Sequence, residues 1–302
     1  MTYSIVARDP QTGEIGVAVQ TALPGVGRIC PWAEAGVGAV ATQALSRMSH
    51  GSSGLALMRN GHTAPQALTA VLAGDRGAEV RQVGMVDAQG NAASHTGSST
   101  IRYAGHHVGD GYAVQANMMA SDTVPAAMSR AFESASGRLV QRIVAALQAA
   151  QAEGGDFRGQ QSAALMIVSG TLMPEAWQGV LFDVRVDDHP TPVDELERIC
   201  HRQLAYQMSN EAAELTGGDN PRWEQAMQRY QEAVAMDPDE LQMRFWFALD
   251  IAAKPNGFEA AAPIFRELFD RDPMWAECLV RYADSNRIPV EGLVDRILAL
   301  RS

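Results

Sequence analysis

The sequence predicts an α+β fold over residues 1–202, followed by an all-helical region over residues 203–302. Two observations support this prediction. In the first part of the chain, strand-forming and helix-forming runs come in separate blocks, which favours antiparallel sheets with helices packed on them over a doubly wound parallel sheet. From residue 203 the strand-forming runs stop, and small and aromatic residues recur at a regular interval.

The chain is predicted to start with a β-hairpin. Residues 2–8 and 14–21 are rich in strand formers, and they flank Asp9-Pro10-Gln11-Thr12-Gly13, a typical turn sequence. Residues 36–43 are small and include two glycines, which indicates a strand that another backbone approaches closely.

Further strands and helices follow from the spacing of apolar residues. A second hairpin is predicted from residues 80–86 and 92–96, on either side of a turn at 87–91. The other predicted strands are 112–117, 163–169 and 180–186. The predicted helices are 52–60, 64–74, 122–134, 138–152 and 193–204. His106 and His107, beside Asp110, are interpreted as part of a solvated turn.

The carboxy-terminal region contains a repeat. A small, an aromatic, a small or aliphatic residue and a proline occur at offsets 0, 4, 7 and 12 in two sets that lie 35 residues apart. The sets are Ala226, Tyr230, Ala233, Pro238 and Ala261, Phe265, Leu268, Pro273. This spacing is typical of tetratricopeptide (TPR) repeats, in which small residues let paired helices approach closely. The alternative is a generic helical bundle with coincidental spacing. We expect a TPR-like binding or assembly module over residues 203–302.

Composition narrows the classes of function. The net charge of −11 argues against nucleic acid or an anionic membrane as a partner, since both require basic patches. Cys30, Cys200 and Cys278 lie far apart, which is typical of buried thiols in a reducing compartment. Neither a signal-peptide pattern nor an apolar run of membrane-spanning length is present, so a cytoplasmic location is expected.

Polar residues at predicted strand ends are the candidates for a site. Thr2 shares a strand face with Ser4, because side chains alternate along a strand. The other groups are Ser94-His95-Thr96, Gln115-Ala116-Asn117 and Asp187-Asp188-His189. Each of these groups could equally be a structural cap or turn. A metal site is disfavoured because adjacent residues cannot all reach one ion with good geometry. No nucleotide-binding or metalloprotease motif is present, so we expect neither a metal nor a cofactor.

Thr2 has a further property. A small second residue allows methionine aminopeptidase to remove Met1, which would leave threonine at the amino terminus. Its α-amine, with a reference pKa near 8, could then act as the general base for its own hydroxyl. The alternative is that Met-Thr is simply a favourable start sequence.

These residues resemble a known family, DUF1028, which is assigned to the N-terminal nucleophile (Ntn) hydrolase superfamily. The resemblance spans residues 2 to about 200. It is carried by Thr2-Tyr3-Ser4-Ile5-Val6-Ala7-Arg8-Asp9-Pro10, Pro31-Trp32-Ala33, Ala35-Gly36-Val37-Gly38-Ala39-Val40-Ala41-Thr42-Gln43, His95-Thr96-Gly97, Gly111-Tyr112-Ala113-Val114-Gln115-Ala116-Asn117, Gly159-Gln160-Gln161-Ser162-Ala163-Ala164 and Arg185-Val186-Asp187-Asp188-His189-Pro190.

The resemblance implies a four-layer αββα sandwich in which Thr2 is the nucleophile after Met1 is removed. It further implies Asn117, with a backbone N–H, as the oxyanion donor. The pocket would be lined by Gln43, His95, Gln115, Gln161 and Asp188, which would bind the substrate. Proteasome-type members of the superfamily pair the threonine with a lysine, but the only lysine here is Lys254, outside this domain. The α-amine would therefore be the base, and Arg28 or Arg47 could lower its pKa.

The sequence thus predicts an amidohydrolase acting on a small amide, lactam or related metabolite. The main alternative is a non-catalytic protein that binds a partner or assembles through residues 203–302. A cell-wall fragment binding protein is a third possibility, suggested by the label that some relatives carry on their appended domain. The superfamily resemblance also implies a homo-oligomer.

Overall fold

The computed structural model describes residues 2–285 and 292–301. The chain forms two compact units, of which the first ends at Cys200 and the second begins at His201.

The strands of the first unit are short and antiparallel. Their bounds are β1 Thr2–Arg8, β2 Ile15–Thr21, β3 Pro31–Glu34, β4 Gly38–Ala44, β5 Arg81–Asp87, β6 Ala92–Thr96, β7 Gly105–Gly109, β8 Tyr112–Asn117, β9 Ser162–Val168 and β10 Val180–Val186. They form a six-stranded sheet in the order β10-β9-β2-β1-β8-β7 and a four-stranded sheet in the order β3-β4-β5-β6. The prediction of antiparallel sheets is therefore confirmed.

The helices of the first unit cover the two sheets. Their bounds are α1 Ser49–Arg59, α2 Ala64–Ala73, α3 Val124–Ser134, α4 Leu139–Ala152 and α5 Pro192–Leu215, the last of which continues into the second unit. Helices α1 and α2 pack on the four-stranded sheet, and α3 and α4 pack on the six-stranded sheet. The two sheets contact each other through β1, β2, β4, β5 and β8.

Strand β1 lies in the middle of the six-stranded sheet and is buried on both faces. Tyr3 points toward α4, where its hydroxyl donates to Gln151 Oε1 at 3.1 Å. Ser4 points the opposite way and contacts Gln43 of the facing sheet. Because side chains alternate, Thr2 and Val6 share the face of Ser4. The side chains of Thr2, Ser4 and Val6 therefore lie between the two sheets.

The predicted β1–β2 hairpin is confirmed, and its register pairs Thr2 with Thr21. Its turn is held by Asp9, whose Oδ1 accepts from the backbone N–H groups of Gln11 and Thr12 at 2.8 and 2.9 Å. A short polar side chain that bonds to backbone groups two and three residues on is a common way to fix a turn.

The sequence prediction lacks two strands, β3 and β7. Strand β7 includes His106 and His107, so the interpretation of these histidines as a solvated turn is wrong. The turn lies at Asp110 and Gly111 instead, and Gly111 takes a φ of 74° that favours glycine. Both strands are edge strands of only four and five residues, too short to produce a clear alternation.

A buried carboxylate ties together the segments that follow β4 and precede β5. Asp75 lies 2.9 Å from Arg47 Nη1, 2.8 Å from Arg81 Nε and 3.2 Å from His50 Nε2, and its side chain is only 4% exposed. The hydrogen bond from Arg81 and the nearby positive charge of both arginines hold the pKa of Asp75 well below its usual range. The ionised carboxylate therefore stabilises the folded state.

Replacing Asp75 by asparagine is expected to destabilise the protein by roughly 2–4 kcal/mol at pH 7, because two arginines lose their partner. The folded-state pKa lies below the unfolded value of about 4, so this stabilisation is complete above pH 4 and is lost as the pH falls below it. The measurement is thermal unfolding of the wild type and of Asp75→Asn at pH 7 and pH 3.5. The difference in their free energies of unfolding is expected to be smaller at the lower pH. Asp183→Asn is the matched control, since Asp183 pairs with Arg185 on the surface and contributes at most about 1 kcal/mol. An equal loss of stability in Asp75→Asn and Asp183→Asn would contradict the prediction.

The second unit is helical throughout the residues that the structure describes. Its remaining helices are α6 Trp223–Met236, α7 Leu241–Ala252, α8 Phe258–Arg271, α9 Met274–Asp284 and α10 Leu293–Leu298. The small and aromatic repeat positions lie on α6 and α8 and are buried, and Tyr230, Ala261 and Phe265 belong to one hydrophobic cluster. In the described parts of the chain, none of the helices has the length and apolar character that crossing a bilayer requires.

Candidate functional site

Thr2 lies at the end of the central strand, where several strand ends meet. Its direct cross-strand neighbours are Thr21 on β2 and Asn117 on β8. The Thr2 hydroxyl donates to Thr21 Oγ1 at 3.1 Å. The Thr2 carbonyl accepts from Gln43 Nε2 at 3.2 Å and has Asn117 Nδ2 at 3.5 Å. The position of Thr2 is thus fixed by both sheets.

Beneath Thr2, a chain of hydrogen bonds crosses between the sheets. Ser4 Oγ donates to Gln43 Oε1 at 2.6 Å and accepts from Gln115 Nε2 at the same distance. Gly84 on β5 makes room for this contact, because a Cβ at that position would lie 2.2 Å from Gln115 Oε1. Ser4, Gln43 and Gln115 are all fully buried, with their polar groups paired inside the protein.

Gln82 connects the remaining amides. Its Oε1 accepts from Gln43 Nε2 at 2.7 Å and from Asn117 Nδ2 at 2.8 Å. Its Nε2 donates to Thr96 Oγ1 and to the carbonyls of Gly105 and Ala116 at 2.8–3.1 Å. Gln82 therefore sets the orientation of both amides that contact the Thr2 carbonyl.

The hydrogen-bonded side chains just described lie together between the two sheets, and we call them the amide layer. They carry hydroxyl and amide groups. Neutral groups can be buried completely when each is hydrogen-bonded, whereas an unpaired charge at such depth would be strongly disfavoured. Cys30 also contacts the layer, with its Sγ 3.9 Å from Gln43 Oε1, and burial raises the pKa of its thiol to about 12. The thiol is therefore neutral at physiological pH. Among the residues that the structure describes, the side chains hydrogen-bonded to Thr2 are one hydroxyl and two amides, and these groups do not titrate near neutral pH.

Backbone strain is concentrated beside Thr2. Ala44, Met118 and Tyr103 adopt left-handed conformations with φ of 65°, 61° and 56°. Ala44 follows Gln43 directly and Met118 follows Asn117, while the Tyr103 carbonyl accepts from Met119 N at 3.3 Å. Each such residue costs about 1–2 kcal/mol, and strain of this kind is found preferentially at functional sites. The strain marks this end of the sandwich as a candidate functional site.

Gln161 and Asp188, which are predicted to bind substrate, lie at the same end of the sheet as Thr2. The Gln161 backbone N–H donates to the Thr21 carbonyl at 3.0 Å. The Gln161 side chain donates to Asp188 Oδ1 at 3.2 Å, and Asp188 is exposed. Gln43 and Gln115 also lie beside Thr2, but with buried amides that hold β1 rather than facing solvent. Asn117 lies directly opposite Thr2.

The structure does not bring His95 to this group. His95 lies on the outer face of β6, where its Nε2 is 2.9 Å from the Ala78 carbonyl. Its neighbour Thr96 points inward instead, and Thr96 Oγ1 contacts Gln82 and, at 2.8 Å, His106 Nδ1. Of the two arginines considered as helpers of the α-amine, Arg47 pairs with Asp75, and Arg28 is exposed at the end of a short 3-10 turn.

Sequence reasoning missed two residues of the site, Thr21 and Gln82. Thr21 could have been found, because a hairpin centred between Gln11 and Thr12 places residue 21 opposite residue 2. Gln82 gave only a weak signal, because it follows Arg81 at the polar start of a predicted strand. Its partners lie on other strands, so the sequence alone could not indicate its role.

The sequence and the fold of the chain are similar to those of known proteins. The profile described as "Family of unknown function (DUF1028)" matches residues 2–196. No protein with a curated description matches. Among solved structures, the chain is similar to a DUF1028 protein from Silicibacter pomeroyi, with 30% sequence identity and a TM-score of 0.59. The similarity covers 76% of this chain and 94% of that one. The family match over residues 2–196 includes every strand and every residue of the Thr2 site. The chain therefore belongs to the DUF1028 family.

Proposed function

We propose that the protein is an Ntn-type amidohydrolase with Thr2 as its nucleophile, acting on an amide, lactam or related small molecule. One observation carries the proposal: Thr2 lies at the end of the central strand, with its hydroxyl on the face between the sheets and its carbonyl held by two buried amides. The arrangement of two facing sheets with helices outside supports an Ntn-like αββα sandwich.

In the proposed reaction, Thr2 Oγ1 attacks the carbonyl carbon of the amide, and its proton passes to the α-amine exposed by removal of Met1. The C–N bond then breaks as the ammonium returns the proton to the leaving nitrogen. The resulting threonine ester is hydrolysed by water, which restores the hydroxyl and releases the acid. Each step uses the same amine first as base and then as acid.

The choice of base follows from the neighbours of Thr2. Thr21, Gln43 and Asn117 offer a hydroxyl and two amides, which do not accept a proton near neutral pH. The α-amine lies on the same residue as the hydroxyl and is therefore within reach without any rearrangement. We assign the role of general base to it.

Asn117 is the proposed oxyanion donor. One hydrogen of its Nδ2 is committed to Gln82 Oε1 at 2.8 Å, and the other faces the Thr2 carbonyl at the long distance of 3.5 Å. A donor fixed in this way stabilises a developing oxyanion by several kcal/mol.

Labelling tests the proposal directly. A β-lactone acylates a nucleophilic hydroxyl: the Oγ1 ester forms, the ring C–O bond breaks, and the proton from Oγ1 passes to the new alkoxide. Intact-mass analysis at pH 7.5 is expected to show loss of Met1 and addition of one lactone, mapped to Thr2. Cys30 and Cys200 compete little, because burial raises the pKa of each thiol to about 12. A mature chain that keeps Met1, or a label on any other residue, would refute the proposal.

For the second unit we infer a TPR-like arrangement that serves binding or assembly. The repeated aromatic positions support it: Tyr230 of α6 stacks on Phe247 of α7 with ring centroids 4.1 Å apart, and Phe265 of α8 contacts Phe245 of α7 at 6.3 Å. Ala226 and Ala261 are fully buried at the equivalent places on α6 and α8. A crystal structure in which the pairs α6–α7 and α8–α9 fail to superpose would contradict this inference.

A further inference from the structure

Large apolar side chains are exposed around the Thr2 end of the sandwich. They belong to the loops that follow β2 and β4, to the connection between β6 and β7, and to the loop that precedes β9. The segment that follows β8 is hydrogen-bonded to the last two of these loops. We call them the apolar rim: Leu23, Leu45, Met48, Ile101, Tyr103 and Phe157. Single exposed apolar residues are ordinary, but several at one end of a domain indicate a binding surface.

Backbone hydrogen bonds connect the rim to the site. The carbonyls of Ile101 and Tyr103 accept from Met118 N and Met119 N at 3.3 Å, and the Met118 carbonyl accepts from Phe157 N at 3.3 Å. Met118 itself follows Asn117. One side of the rim is therefore attached to the strand end directly opposite Thr2.

The other side of the rim is attached in the same way. Leu45 follows Ala44, whose φ of 65° turns the chain directly after Gln43. The Leu23 carbonyl accepts from Ser162 Oγ at 2.5 Å, close to the end of β2. The rim is thus formed by loops of both sheets at the end of the sandwich where Thr2 lies. The left-handed residues Ala44, Tyr103 and Met118 lie within these loops or at their start, where a strained backbone is kept in spite of its cost.

We propose that the substrate is an amide carrying an extended apolar group, which lies on the apolar rim while its carbonyl meets Thr2 Oγ1. The inference rests on the proposed function. A second copy of the chain bound centrally on the rim would cover Thr2, whereas a nucleophile must remain open to its substrate. A substrate with an apolar group can cover the rim and still bring its carbonyl to Thr2, so we take the substrate itself as the occupant.

The test is a homologous series of β-lactones with alkyl groups from methyl to octyl, and the readout is the second-order rate of Thr2 labelling by intact mass. We expect the rate for the wild-type protein to rise about 2- to 4-fold per methylene until the rim is covered. Leu45→Ser and Phe157→Ser are expected to flatten this dependence, with a loss that grows with chain length. Leu172→Ser is the matched control: Leu172 is 65% exposed, against 60% for Leu45, but it lies in the β9–β10 connection at the opposite end.

The outcomes separate the two proposals. Labelling of Thr2 at one rate for all chain lengths would leave the nucleophile in place and overturn the rim as the substrate site. A flattened series in Leu172→Ser would overturn it as well, since the effect would not belong to the rim. If Phe157→Ser changes the oligomeric state in sedimentation velocity and leaves the chain-length dependence intact, the rim is an interface between copies. No labelling of Thr2 by any lactone would refute both the function and the inference.

Discussion

Replacing Thr2 by alanine is expected to reduce turnover of any amide substrate at least about 1000-fold and to abolish labelling by β-lactones. The reason is chemical: alanine removes the oxygen that forms the acyl-enzyme, and loss of a nucleophile typically costs several orders of magnitude in kcat. Folding is expected to change little, because among the described residues the Thr2 side chain donates one hydrogen bond, to Thr21 Oγ1, which contributes about 1 kcal/mol.

One matched variant, Thr2→Ser, makes this result specific. Thr2→Ser keeps a hydroxyl at the same position and is expected to keep both labelling and turnover. Alanine and serine are both small enough for Met1 to be removed, so intact mass verifies that all three proteins begin at residue 2. The measurement that tests Thr2 as the nucleophile is kcat and kcat/KM for a panel of amides and lactams. Full activity in Thr2→Ala would exclude Thr2 as the nucleophile.

Replacing Gln82 by methionine is expected to destabilise the protein by roughly 3–5 kcal/mol. Methionine has a similar shape but accepts hydrogen bonds only weakly and donates none. The amides of Gln43 and Asn117 lose the acceptor at Gln82 Oε1, and three oxygens, of which the Ala116 carbonyl is fully buried, lose a donor. Each buried group left unpaired costs about 1–3 kcal/mol, partly offset where another contact remains.

The measurement for Gln82→Met is the midpoint of thermal unfolding together with the rate of Thr2 labelling below that temperature. Labelling is expected to slow, since Gln82 orients both amides that hold the Thr2 carbonyl. Gln89→Met is the control, because Gln89 is exposed in the turn between β5 and β6 and is expected to change stability by less than about 0.5 kcal/mol. A Gln82→Met protein as stable and as reactive as the wild type would show that the layer does not position Thr2.

Local sequence signals predicted most of the elements of the first unit. The turn chemistry of Asp9 and Gly13 and the strand formers on either side specified the first hairpin, because these features act over a few residues. Strands β3 and β7 were missed because each is short and lies at a sheet edge. Alternation over four or five residues cannot be distinguished from chance.

His95 shows why the faces of a strand are harder to predict. In β6, Ser94 and Thr96 point toward the other sheet, so His95 between them must point away. The strand was located correctly, but all of its side chains are partly buried, so no polar face stood out. The inward face is decided by which sheet packs against it, and a shift of one residue would exchange the two faces.

The sequence by itself determined most strands and helices of the first unit, the hairpin at its start, and the place of Thr2 at the start of a buried strand. Only the tertiary structure decided that Ser4 meets Gln43, that Gln82 joins Asn117, and that distant loops form an apolar rim around them. The physical reason is range. Turn chemistry and side-chain alternation act between neighbours in the chain. The amide layer depends instead on contacts between two sheets, such as Gln82 with Asn117, 35 positions apart, and Gln43 with Gln115, 72 positions apart.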